Sequence, residues 1–159
     1  ITDYMYIKAL LHYLNVIDSP NIIPSAGVDN VNRIASILMG WGCDFFILLD
    51  YDEQGRREYN VLIKKLDVTL KQYIVFVNGE DTPSQSEMRS SPKTIEDLIS
   101  DEDKDKLTNK LDKDDKVLVA KEFHDKVISG KLIPESQTVE AFMKIFRKFD
   151  IVAKDNITV

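Results

Sequence analysis

One cysteine, one tryptophan, five prolines and six glycines are all that 159 residues contain of those types. The lone Cys43 excludes an internal disulfide framework and suits a reducing compartment, so a cytoplasmic protein is expected. As a single thiol beside an apolar segment it reads as packing rather than as a nucleophile. No apolar run approaches the roughly 18 residues that cross a bilayer, so no membrane partner is expected. Positive charge is also short: 21 Lys and Arg stand against 27 Asp and Glu, a net charge of −6. A protein that grips nucleic acid by electrostatics alone should be basic. Any phosphodiester handled here must therefore come in through cations or through basic surface supplied from elsewhere. No Walker motif and no G-x-G-x-x-G is present.

What remains is a chain 43% hydrophobic and 30% charged, the composition of a globular protein about one domain long. Residues 2–14 carry Ile7, Leu10, Leu11 and Leu14 at helical spacing, with Thr2 as N-cap. "NIIPSAG" (21–27) reads as a short strand leaving through Pro24, Ser25 and Gly27 into a helix striped with Val31, Ile34, Ala35 and Leu38. That helix stops near Gly40 and Gly42. A strand over 44–49, a helix over 53–66 and a strand over 73–77 follow, the last ending at Asn78-Gly79. Fully apolar strands alternating with helices argue a parallel sheet covered on both faces. Residues 80–92 read as a polar loop, and "KTIEDLIS" as the start of another helix. The mixed-charge run 100–116 reads as a solvated helix and turn. Helices over about 114–129 and 135–149 close the pattern, the second burying Val139, Phe142, Met143, Phe146 and Phe149.

The stretch "DFFILLDYDEQGRRE" (44–58) carries the chemistry. In an open α/β sheet, ligands sit outside the carboxyl ends of the strands, which is where Asp50 falls, with Asp52 on the same loop. Two carboxylates two residues apart can converge on one hard cation, or they can solvate a strand end and cap the next helix. A calcium loop starting at Asp50 fails, because its twelfth position is Val61, which cannot be the bidentate ligand. A phosphatase using the first Asp of a strand-end D-x-D as nucleophile is a minor alternative. His12 and His124 have no ligand partner at helical spacing and read as surface or packing residues.

The order of these motifs resembles the Toprim nuclease domain of the OLD (overcoming lysogenization defect) family of ATPase-linked endonucleases, which includes nucleases of bacterial anti-phage systems. The resemblance covers roughly residues 1–130 and rests on the strand–D-x-D–x-x-G, on "PSAGVDNVNRIASILMGWG" before it, and on "ITDYMYIKALL" at the start. It implies a Toprim-like (Rossmann-like) α/β fold with a parallel sheet flanked by helices and a helical C-terminal tail. The domains implied are a core over 1–100 and a helical extension over 101–159. Asp3 matches the second acid of the family's first motif, whose catalytic Glu and strand are expected just before Ile1, so the chain is expected to be part of a longer protein. "Lys93-Thr94-Ile95-Glu96-Asp97" resembles the family's hydroxyl–x–carboxylate motif, with Thr94 and Glu96 in those places. Lys116, in "KVLVA", matches the family's catalytic lysine, with Lys121 as the alternative.

The resemblance implies a metal-dependent DNA endonuclease, or nickase. Asp3, Asp50, Asp52, Thr94 and Glu96 would hold two Mg²⁺ or Mn²⁺ ions, and Asp50, Asp52 and Lys116 would be catalytic. So many carboxylates would disfavour one another's ionised forms without cations. Two ions suit an in-line displacement at phosphorus, with Lys116 neutralising developing charge. Arg56, Arg57, Arg89 and Lys93 flank the acids and are expected to contact the DNA backbone. The expected partners are DNA, an N-terminal ABC-type ATPase domain of the same protein, and a second copy or a defence-system partner. Another Toprim activity (primase or topoisomerase) and a non-catalytic partner-binding fragment are the competing functions.

Overall fold

The computed structural model describes residues 1–16, 18–25, 28–65, 68–107 and 115–151. The chain divides into two compact units, one of Ile1–Pro24 with Ile95–Val159 and one of Ser25–Thr94. Among the described residues there are seven α-helices and a two-stranded parallel sheet, a mixed α/β chain that is mostly helical. No helix of the described residues is long and apolar enough to cross a membrane.

The first unit is helical. α1 (Thr2–Tyr13) packs on α6 (Lys116–Ile128) and also meets α7 (Ser136–Lys148) and the 3-10 turn Ile95–Leu98. The helical stripe of the sequence explains the pairing, since Leu10, Leu11 and Leu14 are buried with Phe123 and Ala120 from α6. Each fully buried Leu or Phe contributes about 2 kcal/mol of transfer free energy. Thr2 does not cap α1. Ile1 holds the N-cap position, and the Thr2 hydroxyl donates instead to Asp3 Oδ1 at 3.1 Å. On α7, Val139, Phe142 and Phe146 are buried as expected, so most of the stripe is core within its own unit, whereas Met143 and Phe149 are only half-buried.

The charged run is less solvated than its composition suggests. α5 (Asp101–Leu107) follows Ser100, whose hydroxyl accepts from the Asp103 amide at 3.2 Å. Asp103 itself is wholly buried. Its Oδ2 accepts from the Thr138 hydroxyl at 2.6 Å and from the Glu135 amide at 3.0 Å, tying α5 to the start of α7. A charge taken out of water needs such partners. Residues 108–114 of the run lie outside the described residues.

In the second unit, β1 (Ile47–Leu49) and β2 (Ile74–Phe76) pair in parallel, Ile47 opposite Ile74 and Leu49 opposite Phe76. Both strands are shorter than the apolar runs that announce them. Phe45 leaves the ladder and stacks on Tyr73 with ring centroids 5.5 Å apart. The expected strand over 21–27 does not form, since residues 21–25 have no regular structure and 26–27 lie outside the described residues. Pro20 and Pro24 supply no amide donors to a ladder there. α2 (Val28–Gly40) ends at Gly42, whose φ of +66° closes the turn through Cys43 N to Leu38 O. Cys43 is exposed rather than packed. α3 (Glu53–Lys65) lays Gly55, Tyr59 and Leu62 inward. The polar loop over 80–92 contains a further short helix, α4 (Gln85–Ser90), anchored by the buried Met88.

Candidate functional site

Asp50 stands at the carboxyl end of β1, at the turn into α3. Tyr51, between the two acids, fixes that turn. Its amide donates to Lys93 O at 2.8 Å and its carbonyl accepts from Lys93 N at 2.9 Å, an antiparallel bridge. Its phenol donates to Glu87 Oε2 at 2.7 Å, and its ring meets Phe76 edge-on at 5.7 Å. Burial, and then the bond to the Glu87 carboxylate, push the Tyr51 hydroxyl above its ordinary pKa, so it stays a neutral donor. Asp50 and Asp52, on either side of the buried Tyr51, are themselves half-buried. The register of the bridge sets Thr94 opposite Asp50, with Asp52 two residues further along the same turn.

Asp52 also has a structural duty. Its Oδ1 accepts from the Gly55 amide at 2.7 Å, an N-cap on α3 that leaves Oδ2 for another partner. Gly55 is required by closeness rather than by its dihedral angles. A Cβ built there would lie 3.0 Å from the Asp50 carbonyl carbon and well inside the van der Waals surface of its oxygen. The D-x-D-x-x-G spacing is thus a packing rule: the sixth residue must let α3 press onto the strand end.

The basic residues expected to meet DNA are unequal. Arg57 and Arg89 are 69% and 61% exposed, and both turn toward Glu53, at 3.8 and 2.6 Å. The hydrogen bond from Arg89, then its charge, holds the Glu53 carboxyl below its ordinary pKa. Solvent screening keeps such surface pairs weak. Lys93 is exposed with its backbone in the Tyr51 bridge. Arg56 is half-buried, and among the described residues its buried Nε has no hydrogen-bond partner.

The first unit holds the other three expected residues. Lys116 opens α6 and its ammonium donates to Glu96 Oε2 at 2.6 Å. Asp3 lies in the first turn of α1, which packs on the 3-10 turn that carries Glu96. Tyr6, one turn along α1, is buried against Phe123 with ring centroids 5.4 Å apart. Burial, then the charges of Glu96 and Asp3, push its hydroxyl up to about 12. The place of Tyr6 in an ordinary helical stripe did not announce this acidic environment. Lys121, the alternative to Lys116, lies on the part of α6 that lines a shallow pocket with Glu122, Asp125 and Lys131.

Neither unit, among its described residues, gathers three His, Cys, Asp or Glu side chains closely enough to cage a metal ion. The oxygen donors present suit magnesium nonetheless. That ion keeps several waters and is bound through one or two carboxylates plus substrate phosphates, rather than by an all-protein cage. Asp50 and Asp52 supply two carboxylates on one turn, one Asp52 oxygen being engaged by the Gly55 amide. Comparison of the chain with protein-family models, with curated proteins and with solved structures finds no match.

Proposed function

We propose that this chain is the nuclease part of a metal-dependent DNA endonuclease resembling the OLD-family Toprim domain, nicking phosphodiesters inside a longer ATPase-linked protein of anti-phage defence. The observation that carries the reading is the turn after β1. Two half-buried carboxylates two residues apart, at the end of a parallel strand, flank the bridged Tyr51, and Gly55 lets α3 press close to them. When bound there, Mg²⁺ or Mn²⁺ ions would supply a polarised water and stabilise the leaving oxygen. The residues that the resemblance assigns to metal are Asp50, Asp52 and Thr94 in one unit and Asp3 and Glu96 in the other. Lys116 would meet charge developing on the phosphoryl group, and Arg56, Arg57, Arg89 and Lys93 would bind flanking phosphates. The acidic balance agrees with this assignment, because the cations rather than the protein's net charge would draw the nucleic acid in.

The rival Toprim activities have less support. Tyr6 is buried, a poor place for a nucleophile that must reach DNA. A partner-binding module has one observation in its favour, the exposure of Ile37, Met39 and Trp41 around the end of α2. The α7 stripe gives it none, being buried within its own unit. The experiment is relaxation of supercoiled plasmid in Mg²⁺ or Mn²⁺, with EDTA as control, by this chain and by the longer protein proposed to contain it. Nicking that Asp50→Ala abolishes is expected. Nicking that survives Asp50→Ala would remove the assignment of the acid turn.

A further inference from the structure

Along residues 116–131 lysines outnumber acids, against the acidic balance of the chain as a whole. Three of them, Lys121, Lys126 and Lys131, line a shallow cavity of about 280 Å³ with Leu118, Glu122 and Asp125, all within the helical unit. We propose that this cavity is a docking site for an acidic segment of a partner protein, which seats one apolar side chain on Leu118 and lays carboxylates against Lys121 and Lys131. Such docking is independent of the nuclease reading, and it gives Lys121 a place other than catalysis.

Size, charge and exposed apolar surface each narrow the occupant. A cavity of about 280 Å³ falls below the roughly 300–1,000 Å³ of small-molecule and cofactor pockets, and suits one or two side chains of a larger partner. Both acids in its lining are already engaged. Glu122 Oε1 lies 2.7 Å from Lys126 Nζ, and Asp125 Oδ1 lies 3.0 Å from His124 Nδ1. Lys126 is held further by the Lys106 carbonyl, which accepts from its ammonium at 3.0 Å. Lys121 and Lys131 are exposed and, among the described residues, have no ion-pair partner. Two such ammoniums complement carboxylates on one segment and repel a basic partner. Apolar surface stands beside this charge. Leu118 is 43% exposed, and Ile128 and Ile133, which bracket Ser129 and Lys131 in sequence, are 40% and 70% exposed. A bare anion leaves that surface in water, whereas an acidic segment with an apolar side chain covers it. An anionic lipid surface fits less well, because it is typically met by clusters of roughly four to eight Lys or Arg.

The test follows ¹H–¹⁵N spectra of the whole chain titrated with two synthetic peptides, acetyl-Asp-Asp-Leu-Asp-Asp-amide and the same peptide with Ala in place of Leu. The Leu peptide is expected to shift the amides of residues 118–131 and to bind about tenfold more tightly than the Ala peptide, from burial of its side chain. Lys121→Gln combined with Lys131→Gln should weaken that binding at least about fourfold, each exposed ion pair being worth about two- to fivefold. Lys64→Gln, which deletes an exposed charge of the other unit, should leave the affinity unchanged. Equal affinity for the Leu and Ala peptides, or the same shifts from sodium acetate at equal carboxylate concentration, would overturn the docking site and leave a small-anion site. Wild-type affinity in the double-Gln variant, or no shift over residues 118–131 with either peptide, would also overturn it. Broadening of those amides by phosphatidylserine vesicles, with no response to the peptides, would give the surface to lipid instead.

Discussion

Gly55→Ala sets two physical effects of opposite sign against each other. Alanine replaces glycine inside α3, where intrinsic propensity alone predicts a gain of about 1 kcal/mol. The new methyl group, however, would be driven into the Asp50 carbonyl, and both the oxygen and the carbon it meets are backbone. No side chain can rotate away. Either α3 lifts from the end of β1 or the Asp50 peptide turns, and overpacking of this kind costs about 1–3 kcal/mol, sometimes more. The lift also stretches the 2.7 Å bond from the Gly55 amide to Asp52 Oδ1, a cap worth about 1 kcal/mol. The expected net effect is a loss of about 2 kcal/mol. Urea unfolding followed by far-UV circular dichroism reads it as a lower midpoint at unchanged slope. Gly40→Ala is the internal control, because a Cβ there meets nothing within 4 Å. It should be neutral or slightly stabilising. If the two alanine variants are equally stable, the close approach of α3 to Asp50 is wrong, and with it the packing explanation of the motif.

Two further outcomes follow from buried groups. Thr138→Val removes the 2.6 Å hydroxyl bond to the buried Asp103 and the acceptor of the Ser100 amide, so urea unfolding should show a loss of about 2–3 kcal/mol, largely restored by Thr138→Ser. Tyr6 favours its protonated form when folded, so its contribution is complete below pH 10 and is lost as pH rises through about 12, a fall of at most about 3 kcal/mol. In Tyr6→Phe that segment of the stability–pH curve should flatten, and an unchanged curve would mean that another group titrates there.

The helices α1, α2, α3, α6 and α7 were legible because each carries a local stripe of apolar residues, and the parallel pairing of β1 with β2 because both runs are apolar throughout. The acid turn was legible for the same reason, being contained in six consecutive residues, whereas the close approach that requires glycine at position 55 shows only in the packing of α3 on Asp50. What was not legible depends on partners far along the chain. Tyr51 finds Glu87, and Glu53 finds Arg89, each across 36 residues, so neither the anchored tyrosine nor the restrained arginine leaves a local mark. Asp103 looked solvated because its neighbours in sequence are charged, while its partners Glu135 and Thr138 lie 32 and 35 residues away. The helix α4 was hidden in a polar segment because the single buried Met88 holds it.

The claim on which the rest depends is that the turn from Asp50 to Gly55 receives a divalent cation. Paramagnetic broadening by Mn²⁺ in a ¹H–¹⁵N spectrum of the chain tests it without any substrate. Broadening at low metal ratios should include the amides of residues 50–55 and Thr94, compete with Mg²⁺, and disappear from those amides in Asp50→Asn. Amides of residues 50–55 that stay sharp while Mn²⁺ broadens other parts of the chain, or that broaden equally in Asp50→Asn, would contradict it.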